Sequence, residues 1–489
     1  MPFDSPQPDG PATVKFPHRS RRGVLLGLSA PQLIAATITG LLLLAVLMAS
    51  GVASALKLIP LWALILSAVF VRHRGRSLAD WAPIALRYTW RRSKRQLVWL
   101  TRPSSRPRRD GLLHLPGTAA SLRVVTSPDG RLSAVHDPHN GTLTAVVKVS
   151  SRAFALLDPS TQNHNVAGWG RTLAALARTG HIARVQVLER TVPDSGDSLN
   201  RYWGAYGNPQ AHLAGPVYAD LLTAAGPAAA PHESYVALAL DLKAGRRLIN
   251  QAGGGLSGSF AVLTQLTSTF DQAARNSGLT PGSWLLATEF AAVIRTAYDP
   301  KALAALDQWS ATGRPQADPA AAGPVVLVEK ADRIETDSAH HATFWIENWP
   351  RIETSPGFLH QLLFTSGVRR TLSLTYEPKG LDAALKDVQR KKATVIADAA
   401  ERQRKGQVDS EEDSVEYADI KDRERQLIAG HADVALTGLI TVSADTAEQL
   451  NSACAAIETA AVAALVDLRP LTWQQAEAFT NAALPLARP

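Results

Sequence analysis

"GVLLGLSAPQLIAATITGLLLLAVLMASGVASALKLIPLWALILSAVFV" fills residues 23–71, and Lys57 is its only charge. A bilayer core takes about 20 apolar residues per helix. These 49 residues are generous for one span and fit two. Gly51 and the Lys57–Pro60 segment offer turns. The expectation is a two-helix transmembrane hairpin over residues 31–71, with spans at about Pro31–Ser50 and Val52–Val71. Lys57 would snorkel to the far surface and Trp62 would sit in the aromatic belt. A cleaved leader is the rival reading, because "AVLMASGVASA" contains small residues of the right kind. Against it, the apolar run continues past that point and ends in a strong positive stop.

Charge divides the chain around this stretch. The whole chain of 489 residues carries +8. Residues 72–110 hold twelve Lys/Arg against Asp80 and Asp110, a local +10. Residues 1–71 carry +3, which leaves −5 for residues 111–489. A chain that is 46% hydrophobic and 19% charged is neither wholly disordered nor a polytopic transporter. The single cysteine, Cys454, excludes an intramolecular disulfide framework and a Cys-based zinc cluster. Arg19, Arg21 and Arg22 precede the apolar stretch and "RHRGR" at Arg72–Arg76 follows it. By the positive-inside rule, both ends are expected on the cytoplasmic side of a bacterial inner membrane.

The segment after the apolar stretch mixes cations with aromatics. Leu78, Trp81, Ala85 and Tyr88 give a rough apolar helical face, interrupted by Pro83. An amphipathic helix lying on an anionic leaflet has this composition. The expected membrane-surface contacts are Arg72, Arg74, Arg76, Trp81, Arg87, Arg91, Arg92, Lys94 and Arg95. Nucleic-acid binding is the alternative, since Trp and Arg interleave here. Adjacency to the apolar stretch favours lipid, and the acidic body makes direct nucleic-acid binding the weaker reading. "RPSSRPRR" at Arg102–Arg109 reads as an extended linker.

The body reads as α+β, built of ferredoxin-like subdomains. One domain is expected over 111–310, a Pro/Ala-rich linker over 311–324, and a second domain over 325–489. Ser121–Thr126, Leu132–Asp137, Thr142–Val149 and Ile182–Glu189 alternate as strands, with good turns at "SPDG" and "DPHNG". Residues 379–430 carry 11 positive and 12 negative charges and read as a solvated helical hairpin turning near Gly406–Asp409. Ala432–Val442 alternates as a strand. Thr446–Ala464 reads as a helix capped by Asp445 or Thr446.

No motif for catalysis stands out. The chain lacks a phosphate loop, and the dipeptide Gly-Lys is absent. "AGGGLSGS" at Ala252–Ser259 reads as a flexible turn into a helix. His340 and His341 are neighbours on a strand, so their side chains point to opposite faces and share a metal poorly. Cys454 reads as a small buried hydrophobe. The expectation is a protein with no catalytic, metal or cofactor-binding residues.

Several motifs carry a resemblance. "RGRSLADWAPIALRY" resembles the membrane-proximal segment of actinobacterial secretion and conjugation proteins, including the EccE component of type VII secretion and PrgI-like inner-membrane subunits of conjugation systems. "AVVKVSSRAFALLDPSTQNHNVAGWGRTLAALA", "FWIENWPR", "FTSGVRRTLSLTYEP", "GHADVALTGLITVSADTAEQL" and "QQAEAFTNAALPL" resemble the N-terminal half of the conjugative traffic ATPases of type IV secretion. In that family a phosphate-loop half follows. The resemblance therefore implies a membrane anchor joined to the non-catalytic half, as in integral membrane proteins of actinobacterial conjugative elements. It implies docking of an ATPase on a separate chain, contacts with other channel subunits, and self-association as a further option. The excess of 38 Arg over 13 Lys agrees with a GC-rich source. An EccE-like structural subunit of type VII secretion is the alternative, though it does not account for the charged insertion at 379–430.

Overall fold

The computed structural model describes residues 13, 14, 16, 30–73, 76–101, 111–151, 154–192, 197–208, 211, 214–225, 232–312, 317–404 and 411–489. Most of the N-terminal tail, Arg74, the 102–109 linker, residues 313–316 and the expected turn at 406–409 lie outside them.

The expected two-helix transmembrane hairpin is corrected. Helix α1 (Ala30–Lys57) is interrupted at Gly51, whose φ of 76° and ψ of 177° are non-helical and kink it. A new helix, α2 (Ile59–Phe70), then starts with Pro60 in its first turn, where the missing N–H costs nothing. The second apolar stretch is therefore cut in two. At about 1.5 Å per residue, α2 is only about 18 Å long against a hydrocarbon core of about 30 Å. Among the described residues one helix is long and apolar enough to cross a membrane, over Gln32–Ala49.

After α2 come β1 (Arg72–His73), β2 (Arg76–Ser77), α3 (Leu78–Ser93) and β3 (Val98–Leu100). The first half of the body contains β4 (Arg123–Thr126), β5 (Ser133–Asp137), β6 (Thr142–Ser151), α4 (Pro159–Arg178) and β7 (Ile182–Thr191). It continues with α5 (Asp197–Tyr206), α6 (Ala214–Ala225), β8 (His232–Asp241), α7 (Arg246–Gln251), α8 (Gly255–Arg275), β9 (Leu279–Trp284), α9 (Ala287–Tyr298) and α10 (Ala302–Ala311). The second half contains β10 (Val326–Glu329), β11 (Ile334–Glu335), β12 (His340–Asn348), α11 (His360–Leu363) and β13 (Arg369–Lys379). It ends with α12 (Leu381–Arg404), α13 (Glu411–Ile428), β14 (Asp433–Ala444), α14 (Ala447–Ala463), β15 (Asp467–Pro470) and α15 (Gln475–Ala483).

The two halves repeat one plan. In the first, β6-α4-β7-β8-α8-β9 gives the antiparallel strand order β9-β6-β8-β7. In the second, β12-α11-β13-β14-α14-β15 gives β15-β12-β14-β13. Both are the β-α-β-β-α-β arrangement of the ferredoxin-like motif. Each carries a helical pair between its second and third strands: α5–α6 in one, α12–α13 in the other. The second strands meet, β7 against β13, from Thr371 opposite Arg190 to Tyr376 opposite Val185. That pairing joins both halves in one 13-stranded antiparallel sheet.

Apolar periodicity explains the layers. On one face α4 and α8 cover the first half, with Leu238, Leu240, Leu263 and Phe270 fully buried. Burying each such side chain contributes roughly 1.5–3 kcal/mol. In the second half α14 packs Leu450, Ile457 and Ala461 on Phe344, Ile440 and Val442. On the opposite face α9, α15 and the C-terminal tail cover a second apolar core that also encloses polar side chains. Gln475 bridges the backbone of Thr343. Gln186 donates to Ser373 Oγ and to the Leu484 carbonyl. Arg488 meets the buried Asp137 at 2.9 Å. These contacts satisfy polar groups that burial would otherwise penalise. Ala317 and Ala322 are buried in the same core as Phe479 and Leu484. The charged pair α12–α13 packs through Ala384, Val388, Val395, Ile420 and Leu427 and is tied by Lys392–Glu424 and Arg423–Asp387.

Candidate membrane-surface site

Helix α1 turns its apolar surface outward. Ile34, Ile38, Leu41, Leu42, Leu44 and Met48 are all at least half exposed, with Met48 at 83%. A core helix of a soluble domain would bury such residues. The helix packs on α2 and α3. On the other flank of the apolar pair, Val14 bridges Thr354 and Phe16 stacks on Trp349 at 4.9 Å. Both flanks of α1–α2 are thus attached to the body.

Helix α3 begins with a capping box. Ser77 Oγ accepts from the Asp80 backbone N–H, and the Asp80 carboxylate accepts from the Ser77 N–H. Such reciprocal satisfaction of free N–H groups sets a helix start sharply. Trp81 and Tyr88 face inward, with Trp81 edge-on to Trp473 at 5.5 Å. Trp473 itself sits at φ 65°. Arg91 reaches the fully enclosed Glu329 carboxylate at 2.7 Å, and the second oxygen of Glu329 accepts from the Ala476 N–H. Arg87 lies 3.3 Å from Glu477 in a solvent-facing pair. The outer side of α3 holds Leu86 at 69% and Trp90 at 63% exposure, with Lys94 over the Trp90 ring at 5.6 Å.

The nine expected surface residues therefore separate. Arg87, Arg92, Lys94 and Arg95 are exposed. Arg91 is half-buried and serves Glu329. Trp81 lies against Trp473 at 7% exposure, so it faces the body and not a lipid surface. Arg72 and Arg76 lie on the two-residue strands β1 and β2, and Arg74 is outside the described residues. Sequence reading missed Leu86 and Trp90, whose four-residue spacing was the available signal. A groove of about 530 Å³ runs between the end of α3 and the β3–β10 edge, lined by Tyr88, Arg92, Arg95, Leu97, Val98 and Val328 among others.

The other motifs prove structural. The triple glycine Gly253–Gly255, with φ between 58° and 104°, links α7 to α8. A Cβ on Gly258 would lie 2.3 Å from the Ile249 carbonyl oxygen, so close helix packing accounts for that glycine. His341 is enclosed, with Nδ1 2.7 Å from Ser443 Oγ and Nε2 3.0 Å from Thr336 Oγ1. Burial, helped by the positive charge of Arg369, pushes its pKa down to about 3. It is a neutral, hydrogen-bonded core residue at neutral pH. Burial pushes the half-buried Cys454 thiol up to about 12, leaving it protonated at neutral pH. The cavity at the seam between the halves, lined by Arg190, Arg369, Thr371 and Ser443, is about 30 Å³, room for a single water. Among the described residues no group of three His, Cys, Asp or Glu side chains is arranged to hold a metal ion.

Compared with known proteins, the chain matches no family model and no curated sequence.

Proposed function

We infer that this chain is a membrane-anchored, non-catalytic component of a bacterial conjugative, type IV-like transfer apparatus, and that its body docks a separate cytoplasmic ATPase. The observation that carries the anchoring is α1, an apolar helix exposed along most of its length and joined through α2 and α3 to a large folded body. The local +10 of residues 72–110 supports a body on the cytoplasmic side of the inner membrane. The conjugative assignment rests on the sequence resemblance. The body's two β-α-β-β-α-β halves, each with a helical pair inserted at the same place, offer broad surfaces for partner subunits.

The test is capture of the tagged full chain, solubilised in detergent from its native host. Co-purification of the conjugative element's own traffic ATPase, and loss of DNA transfer on deletion of this chain, are the expected results. Undiminished transfer, with that ATPase absent from the captured material, overturns the reading.

A further inference from the structure

We propose that the groove between the end of α3 and the β3–β10 edge binds one anionic phospholipid. The inference deepens the membrane-anchor reading and rests on it. Tyr88, Val98 and Val328 supply apolar lining, and Val98 is half exposed on β3, which pairs with β10 at the end of the described sheet. An acyl chain suits that surface. The rim is cationic. Among the described residues, Glu329 is the one carboxylate lining the groove and is taken by Arg91, and Lys330 is engaged by Glu335. Among the described residues no carboxylate pairs with Arg92 or Arg95, so their charge is left for an outside anion. The volume of about 530 Å³ lies within the usual range for small-molecule sites. Apolar lining and a cationic rim together match a phosphate-bearing lipid better than a free anion or an acidic peptide. A free anion would not need the apolar lining, and an acidic peptide would leave it in water.

The test uses the full chain in a neutral detergent, with native mass spectrometry of adducts formed with phosphatidylglycerol or phosphatidylcholine. One retained phosphatidylglycerol per chain and no retained phosphatidylcholine is expected. The double variant R92Q/R95Q should lower phosphatidylglycerol affinity roughly thirtyfold, the weight of two basic residues at an anionic surface. R131Q, an exposed cation far away in sequence, should not. Equal retention of both lipids, or an unchanged double variant, overturns the proposal. So does displacement of the lipid by millimolar inorganic phosphate or by a poly-glutamate peptide, each of which would identify a different occupant. Washing host membranes with alkaline carbonate separates the two readings. A chain that stays in the membrane but shows no lipid preference leaves the anchor standing and removes the groove; a chain that washes off removes both.

Discussion

Arg91 Nη2 lies 2.7 Å from Glu329 Oε2, across 238 residues of sequence, and the Glu329 side chain has no exposed surface. This pair, with Trp81 against Trp473, fastens α3 to the body.

Breaking that pair from one side strands a buried carboxylate. R91A should cost about 3–5 kcal/mol of stability, whereas R91M/E329M should recover most of the loss because no charge is left enclosed. Urea unfolding of the detergent-solubilised full chain measures both. A single variant within about 0.5 kcal/mol of the parent would show that Glu329 is solvated after all.

Acid should loosen the fold through His341. Its folded pKa, about 3, lies below the unfolded value near 6.5, so the unfolded chain binds the extra proton. The stability it contributes is complete above about pH 6.5 and is lost as pH falls toward 3, by up to about 1.4 kcal/mol per pH unit. Glu233 adds to this only below about pH 4.5; burial would raise it, but Arg190 and Lys148 hold it down to about 2. Glu189 works in the opposite sense, since burial raises it. H341Q should flatten the stability profile between pH 6.5 and 4.5. An unchanged slope in that variant would assign the acid lability elsewhere.

The C-terminal tail should be as important as a core helix. Arg488 donates to the buried Asp137 carboxylate and to the Thr118 carbonyl, and the Ala487 N–H donates to Gln186. R488A is expected to destabilise the chain by about 3 kcal/mol. Thermal unfolding with equal midpoints for R488A and parent would remove the tail from the list of stabilising elements.

The glycine-rich stretch should respond as packing does. G258A drives a Cβ to 2.3 Å from the Ile249 carbonyl oxygen and should cost roughly 1–3 kcal/mol through displaced backbone. A nucleotide-binding loop would instead show a nucleotide-dependent rise in melting temperature that G258A abolishes.

Part of this architecture was legible because the signals are local. Thr446 accepts from the Gln449 N–H as an N-cap, and the alternating strands at Thr142 and Ile182 fall where periodicity put them. The hairpin was misread because hydropathy over residues 52–71 carries no information on helix breaks; Pro60 and the bend at Gly51 set those. Trp81 and Tyr88 announced an apolar face by their spacing. Their partner Trp473 lies far along the chain, so lipid seemed the natural cover. The enclosure of His341 was not legible, because strand alternation says nothing of α15, whose Phe479 ring lies 4.6 Å from the imidazole. The joining of β7 to β13 is likewise a long-range pairing that neither strand signals alone.

Alkaline carbonate extraction of host membranes is the most direct measurement. The parent chain should remain in the pellet through α1. L41R/L44R, with two guanidinium groups at about 2.5–3.5 kcal/mol each in the middle of the apolar helix, should move to the supernatant. A parent chain released by carbonate, or a double variant retained as firmly as the parent, would contradict membrane anchoring by α1.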